Sequence, residues 1–324
     1  MTYSRSLQGR FVAGKYTPVT LLFLSIMVWG IGVFVLPDTP VAIWAGIELG
    51  GISSLLSSAI SLICTLFSAF LLNSLHISER RIHWLSTFYL WIAALSLFTH
   101  GNVVWAVSGL IFMVLLTMLF ECQTAVRVES SILATFAFIG FAALLLPHFL
   151  LLLPLGIVYM FMANMMSLKR LLAALLGLAT PFWIVNGTVY VYPGADVLLS
   201  AFNAGLDKLI DFPVPELRPS RVMLTVLELS VLLPSAVVFV GSSVPGKPML
   251  RRRLSFVMVV CAWLMLLSWF SGEDFGLYYV WRIPGIAILS SYLLTIKQTR
   301  FSNVYFVFLN VLWLAVAALC VWWI

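Results

Sequence analysis

Residues 102–120 read NVVWAVSGLIFMVLLTMLF, nineteen residues without a charge. A helix rises 1.5 Å per residue, and crossing the hydrocarbon core of a bilayer takes about 20 residues. The stretch therefore predicts a membrane span, and its composition is that of the chain at large. Of 324 residues, 62% are hydrophobic and 9% are charged, and the mean hydropathy is +1.09. A soluble domain carries about 25% charge. A water-soluble enzyme is excluded on that ground, and disorder is excluded by the apolar content.

Working outward from 102–120, similar apolar windows lie at 18–36, 54–75 and 83–99 on one side. On the other side they lie at 131–146, 149–166, 171–191, 222–242, 254–270, 278–296 and 303–324. The reading is all-α: a polytopic membrane helix bundle of about eleven transmembrane helices, with residues 1–324 forming one transmembrane domain. No room is left for a sizeable soluble domain. Pro147-His148 is the one break in the 131–166 region, which reads either as two short spans or as a re-entrant unit. A polar stretch precedes the first span with no small-residue cleavage site after it, so that span reads as a retained anchor.

Charge tests this map independently of hydropathy. With the N-terminus in the cytoplasm, the inner loops receive 14 of the 18 Lys and Arg, leaving only Lys208, Arg218, Arg221 and Arg282 on the outer side. Carboxylates reverse the pattern: Glu79, Glu121 and Glu129 are inside, eight are outside, and Glu228 falls within a span. Losing or merging one span would scramble every later loop. The predicted topology is therefore N-terminus in and C-terminus out. The net charge of +6 then reflects cytoplasmic loops and not a nucleic-acid partner. Arg251-Arg252-Arg253 reads as a stop-transfer run touching anionic headgroups.

Two outer segments have content. In 37–53, Thr39-Pro40 makes an N-cap and first-turn pair, predicting a short helix over 40–49 that Gly50-Gly51 stops. Trp44 would sit at headgroup level, and Glu48 in the last turn would oppose the helix dipole. In 192–220, Leu198, Ala201, Phe202, Gly205, Leu206 and Leu209 share one helical face, with Asp196, Ser200, Asn203 and Asp207 opposite. That predicts an interfacial amphipathic helix, serving as a lid or packed on the bundle.

Glu228 is the sharpest single residue, because a charge within a span costs several kcal/mol and normally faces a partner or a water-filled cavity. Arg221, Thr225, Glu228 and Ser235 share one helix face, and Pro234 frees a backbone carbonyl one turn further on. Glu228 and Arg282 fall at depths of about 9 and 6 Å from the same side. They can therefore pair, either as a registry device or with Arg282 meeting an anionic substrate group and Glu228 as its counter-ion. His100 and His148 read as interfacial, and His76 and His83 as loop residues. Cys64, Cys122, Cys261 and Cys320 show no ligand spacing and read as small hydrophobes. No Walker loop, GxSxG, HExxH or usable GxGxxG occurs, so neither a metal site nor a cofactor is predicted.

Asn73-Ser74-Leu75-His76 with Glu79-Arg80-Arg81, and Leu168-Lys169-Arg170 through Leu175-Leu176-Gly177 to Thr180-Pro181-Phe182, carry a resemblance. Over about residues 60–190 the chain resembles an uncharacterised family of polytopic bacterial inner-membrane proteins, which implies the architecture and a bacterial inner-membrane location but no reaction. In outline it also looks like the polyprenyl-phosphate-sugar glycosyltransferases and glycan polymerases of the bacterial envelope. That likeness implies carboxylates in the first outer loop, where Asp38 and Glu48 stand, although the chain lacks an acidic pair such as DxD.

Three functions follow as expectations, and the sequence leaves enzyme and non-enzyme open. The first is handling of a lipid-linked anionic substrate, a polyprenyl-phosphate glycan, with Asp38 or Glu48 as base and Arg282 or Arg221 on the phosphate. The second is a non-catalytic membrane subunit of a secretion or envelope-assembly complex, partnered by other membrane proteins. It would use the aromatic last span with Tyr305, Phe306, Phe308 and Trp313. The third is ion-coupled transport, against which stands that Glu228 is the only acid in any span interior. Membrane lipid is a partner in all three.

Overall fold

The computed structural model describes residues 17–35, 42–43, 47–48, 54–75, 82–96, 102–191, 196–210, 218–241, 248–271, 274–296 and 300–323. The α-helices are α1 (Thr17–Val35), α2 (Ser54–Ser74), α3 (Ile82–Leu95), α4 (Val103–Cys122), α5 (Val128–Leu145) and α6 (Leu153–Met162). They continue with α7 (Leu168–Val191), α8 (Asp196–Ile210), α9 (Pro219–Gly241), α10 (Pro248–Trp269), α11 (Phe275–Ile296) and α12 (Arg300–Trp323). Local chemistry sets several of these ends. The Asn102 side chain accepts from the Trp105 N–H and Ser167 from the Arg170 N–H, capping α4 and α7. Pro219 and Pro248 open α9 and α10, where a missing N–H costs nothing. Asn164 closes α6 in the left-handed region (φ 56°), with the Met165 N–H reaching back to the Met160 carbonyl.

Among the described residues, five helical stretches are long and apolar enough to cross a membrane: Leu56–Ser74, Val103–Cys122, Val128–Leu145, Leu168–Val191 and Arg221–Phe239. Thr17–Gly30, Leu85–Leu95, Pro147–Met162 and Asn303–Val316 are apolar but shorter. Apart from one pair of two-residue strands, the described residues are thus helical, with the apolar helices of a multi-pass membrane protein. At the Pro147 break Leu146 is extended, and a 3₁₀ helix (Pro147–Leu152) leads directly into α6.

The helix expected over 40–49 is corrected. Ala42–Ile43 (β1) pairs antiparallel with Ile47–Glu48 (β2), Ala42 opposite Glu48 and Ile43 opposite Ile47. A mid-helix Gly46 would cost about 1 kcal/mol, and the β-branched Ile43 and Ile47 favour an extended chain.

The contacts divide the chain into two compact units. The first comprises 1–39, 53–110 and 215–324, and the second 40–52 and 111–214. In the first, α1 and α2 pack on α3, while α3, α9 and α10 pack on α11, and α12 on α9. Every described residue from Phe275 to Ser291 is buried, so α11 is the axis of the unit. Close approach at Gly109 and Gly285 permits this: an added Cβ would meet Val280 Cγ1 at 2.8 Å at the first and the Cys261 sulfur at the second.

In the second unit α5 packs along α7 through small residues. A Cβ on Gly140 would meet the Leu178 carbonyl oxygen at 2.8 Å, and one on Gly177 would collide with the Leu133 carbonyl. Lipid tails supply no hydrophobic drive between helices, so such small-residue contact is what holds them together. Along α7, Leu172, Leu175, Leu176 and Trp183 remain exposed, as a lipid-covered helix requires. The expected amphipathic helix is α8. Phe202 is buried edge-on against Phe182, and Gly205 fits over Pro147, while Asn203 and Asp207 are exposed.

Candidate functional site at the buried ion pair

The face predicted on α9 is the face turned inward. Thr225, Glu228 and Ser235 are buried, and Arg221 is half-buried at its start. Thr225 and Ser235 satisfy their hydroxyls on the carbonyls of Arg221 and Val231, four residues back. Pro234 has no N–H, which deprives the Ser230 carbonyl of its helical donor. The Tyr305 hydroxyl of α12 donates to that carbonyl instead.

Glu228 meets Arg282 of α11, with Nη1 2.5 Å from Oε2. The residues are 4% and 1% exposed, which makes this a fully buried ion pair. A guanidinium and a carboxylate can engage through two parallel bonds. Here they engage through one, and Glu228 Oε1, Arg282 Nε and Arg282 Nη2 are buried without a hydrogen-bond partner. Each such atom forfeits its hydration for nothing in return, about 1–3 kcal/mol and more for a charged group. Beside them lies a cavity of about 10 Å³, room for one water. Glu228, Arg282, Cys261 and Met265 contribute to its wall.

Aromatic rings support the cation. The Arg282 guanidinium lies 5.5 Å from the centre of Phe275 and 5.4 Å from Tyr279. The Arg221 guanidinium lies 5.4 Å from the same Phe275 ring. The two arginines thus share one aromatic surface, a favourable cation–π arrangement. Chemically this is a buried guanidinium of which a carboxylate of the chain occupies one of the three nitrogens.

No family model, no curated protein and no solved structure matches the chain.

Of the five residues singled out in the sequence, the structure brings together Arg221, Glu228 and Arg282. Asp38 lies outside the described residues, and of Glu48 only the backbone is described, at the end of β2. Phe275 and Tyr279 were missed. Their signal was available, since positions 275, 279 and 282 share a helix face by spacing alone. Cys261 and Tyr305 carried no such signal, because they reach the site from other helices. The stop-transfer reading of Arg251-Arg252-Arg253 is corrected for one member. Arg253 is buried and donates through Nη1 to the Leu75 carbonyl at 2.8 Å, closing the C-terminal end of α2. Arg251 is exposed, with its guanidinium 5.4 Å from the Phe239 ring. Among the described residues no three His, Cys, Asp or Glu gather as metal ligands.

Proposed function

We propose that the protein spans a bacterial inner membrane eleven times, N-terminus cytoplasmic and C-terminus outside, and receives the phosphate of a lipid-linked glycan during envelope biogenesis. The observation that supports this reading is the set of unpartnered polar atoms on a fully buried Glu228–Arg282 pair. A pair kept for helix registry alone gains by satisfying all its atoms; a pair kept for a ligand leaves some for it. Arg282, reinforced by Arg221, holds the phosphate, and Glu228 is the resting counter-ion. A carboxylate in the 37–53 segment, Asp38 or Glu48, is the base that activates an acceptor hydroxyl. The resemblance to polytopic inner-membrane proteins belongs to the same proposal.

Replacing Asp38, Glu48 and Arg282 singly by Ala and analysing surface glycan on gels tests the reading. Altered glycan in the Arg282 variant and in one carboxylate variant is the expected result. Unchanged glycan in all three, at normal protein level, overturns it. A second reading, a non-catalytic subunit of an envelope-assembly complex, draws on the exposed Trp183 and Tyr190 of α7. Purification in mild detergent separates the two: a stoichiometric protein partner favours the second, bound lipid the first.

A further inference from the structure

The cavity beside the pair has a volume of about 10 Å³, enough for one water and too little for a phosphate. Two guanidinium nitrogens are unpartnered, so what keeps an anion of that size from Arg282 is space, and it reaches the guanidinium only if a side chain beside the cavity moves away. Gly285 packs α11 closely against Cys261 with no space for a Cβ, so that contact offers no slack for the anion. The group that can leave is the Glu228 carboxylate, which is held by a single bond and borders the cavity.

Leaving has a consequence for charge. With the pair intact, one cation and one anion sum to zero. Once an incoming monoanion takes Arg282, a carboxylate still ionised would be a third, uncompensated charge among buried residues. An isolated buried ion of that kind is avoided by neutralisation. We propose that the site binds its anion by exchange: the phosphate group replaces the Glu228 carboxylate on Arg282, and Glu228 takes up one proton from solvent as it leaves. The proposal rests on the anion-binding reading given above and adds a coupling to it. No bond other than hydrogen bonds changes, and the net charge of the buried site is the same before and after.

The groups facing Glu228 from its surroundings do not compete for that proton. On the described residues Arg282 of α11 meets Glu228 and Cys261 of α10 shares its cavity, while Tyr279 lies against Arg282, Tyr305 of α12 engages the Ser230 carbonyl, and Arg221 of α9 lies over Phe275. As residue types, thiols, phenols and guanidinium groups exchange protons above about pH 8, and carboxyl groups below it. A proton gained near neutrality is therefore gained by Glu228.

The probe is farnesyl methyl phosphate, a diester whose single negative charge does not titrate near neutrality. Binding to the purified full-length protein is followed by calorimetry at about pH 7 in two buffers of different ionisation enthalpy, and affinity is then measured from about pH 6 to 8. The wild type is expected to take up about one proton per anion bound, and its affinity to fall about tenfold per pH unit. Glu228→Gln is expected to bind with no proton uptake and no pH slope. If that variant does not fold, Glu228→Asp serves instead and is expected to keep the uptake. Binding by the wild type without proton uptake, or an unchanged slope in Glu228→Gln, overturns the exchange and leaves the anion-binding reading standing. Absence of any binding by the folded wild type overturns both.

Discussion

The two units solve the same problem differently. In the second, α5 and α7 hold together by close backbone contact at Gly140 and Gly177, with apolar side chains around them. In the first, the axial helix α11 carries a buried arginine, its neighbour α9 a buried glutamate, and α2 a buried line of Ser57, Ser58, Ser61, Thr65 and Ser68. The second unit demonstrates that this chain can pack helices without burying a charge: its Arg170–Glu129 pair, at 3.5 Å between α7 and α5, is part-exposed at 28% and 39%. Buried charge in the first is therefore not a requirement of cohesion. Replacing a buried pair by apolar residues is often neutral or stabilising, so a pair with unsatisfied atoms marks where stability has been given up for another purpose.

Breaking the pair on one side should produce the largest loss. Glu228→Gln and Arg282→Met are each expected to destabilise by about 3–5 kcal/mol, because each strands a buried polar partner. The double variant should recover part of that loss, read as detergent melting temperature. Strictly additive losses would erase the contrast between the units.

The second unit is sharpened by overpacking. Gly177→Leu forces a side chain onto the Leu133 carbonyl, which belongs to backbone and cannot rotate away. A loss of about 3 kcal/mol is expected, whereas Gly187→Leu, with open space at its Cβ, should melt within a degree or two of the wild type.

Two smaller effects probe how the first unit treats its backbone. Arg253→Met removes the charged donor on the Leu75 carbonyl, with an expected loss of about 2 kcal/mol and faster amide exchange in the last turn of α2. Tyr305→Phe orphans the Ser230 carbonyl that Pro234 had already deprived of its helical donor. About 1 kcal/mol is expected there, and Pro234→Ala in the same background should restore it by returning the N–H.

How much of this was legible in the sequence depended on how far the cause lay from its effect. Helices such as Val103–Cys122 and Val128–Leu145 follow from local hydropathy alone. The Glu228–Arg282 pair was legible because a charge in a span must find a partner, and few were available at matching depth. The Ala42–Glu48 ladder was hidden because Thr39-Pro40 imitates a helix start, while the cross-strand pairing that wins spans residues apart in sequence. Arg253 read as one of three equivalent arginines until packing brought Leu75, the residue after α2, against it. The cavity, its Cys261 wall and the ring shared by Arg221 and Arg282 are products of tertiary contact, and no window of sequence contains them.

The central claim is that the buried pair exists for an anion and not for the fold. The most direct measurement is the melting of wild type and the Glu228→Met/Arg282→Met double variant in detergent, titrated with farnesyl methyl phosphate. The account predicts that the double variant without ligand melts within a few degrees of the wild type. Added ligand should stabilise only the wild type, by about 2.7 kcal/mol at a hundredfold excess over Kd. Equal stabilisation of both proteins, or none of the wild type, would contradict it.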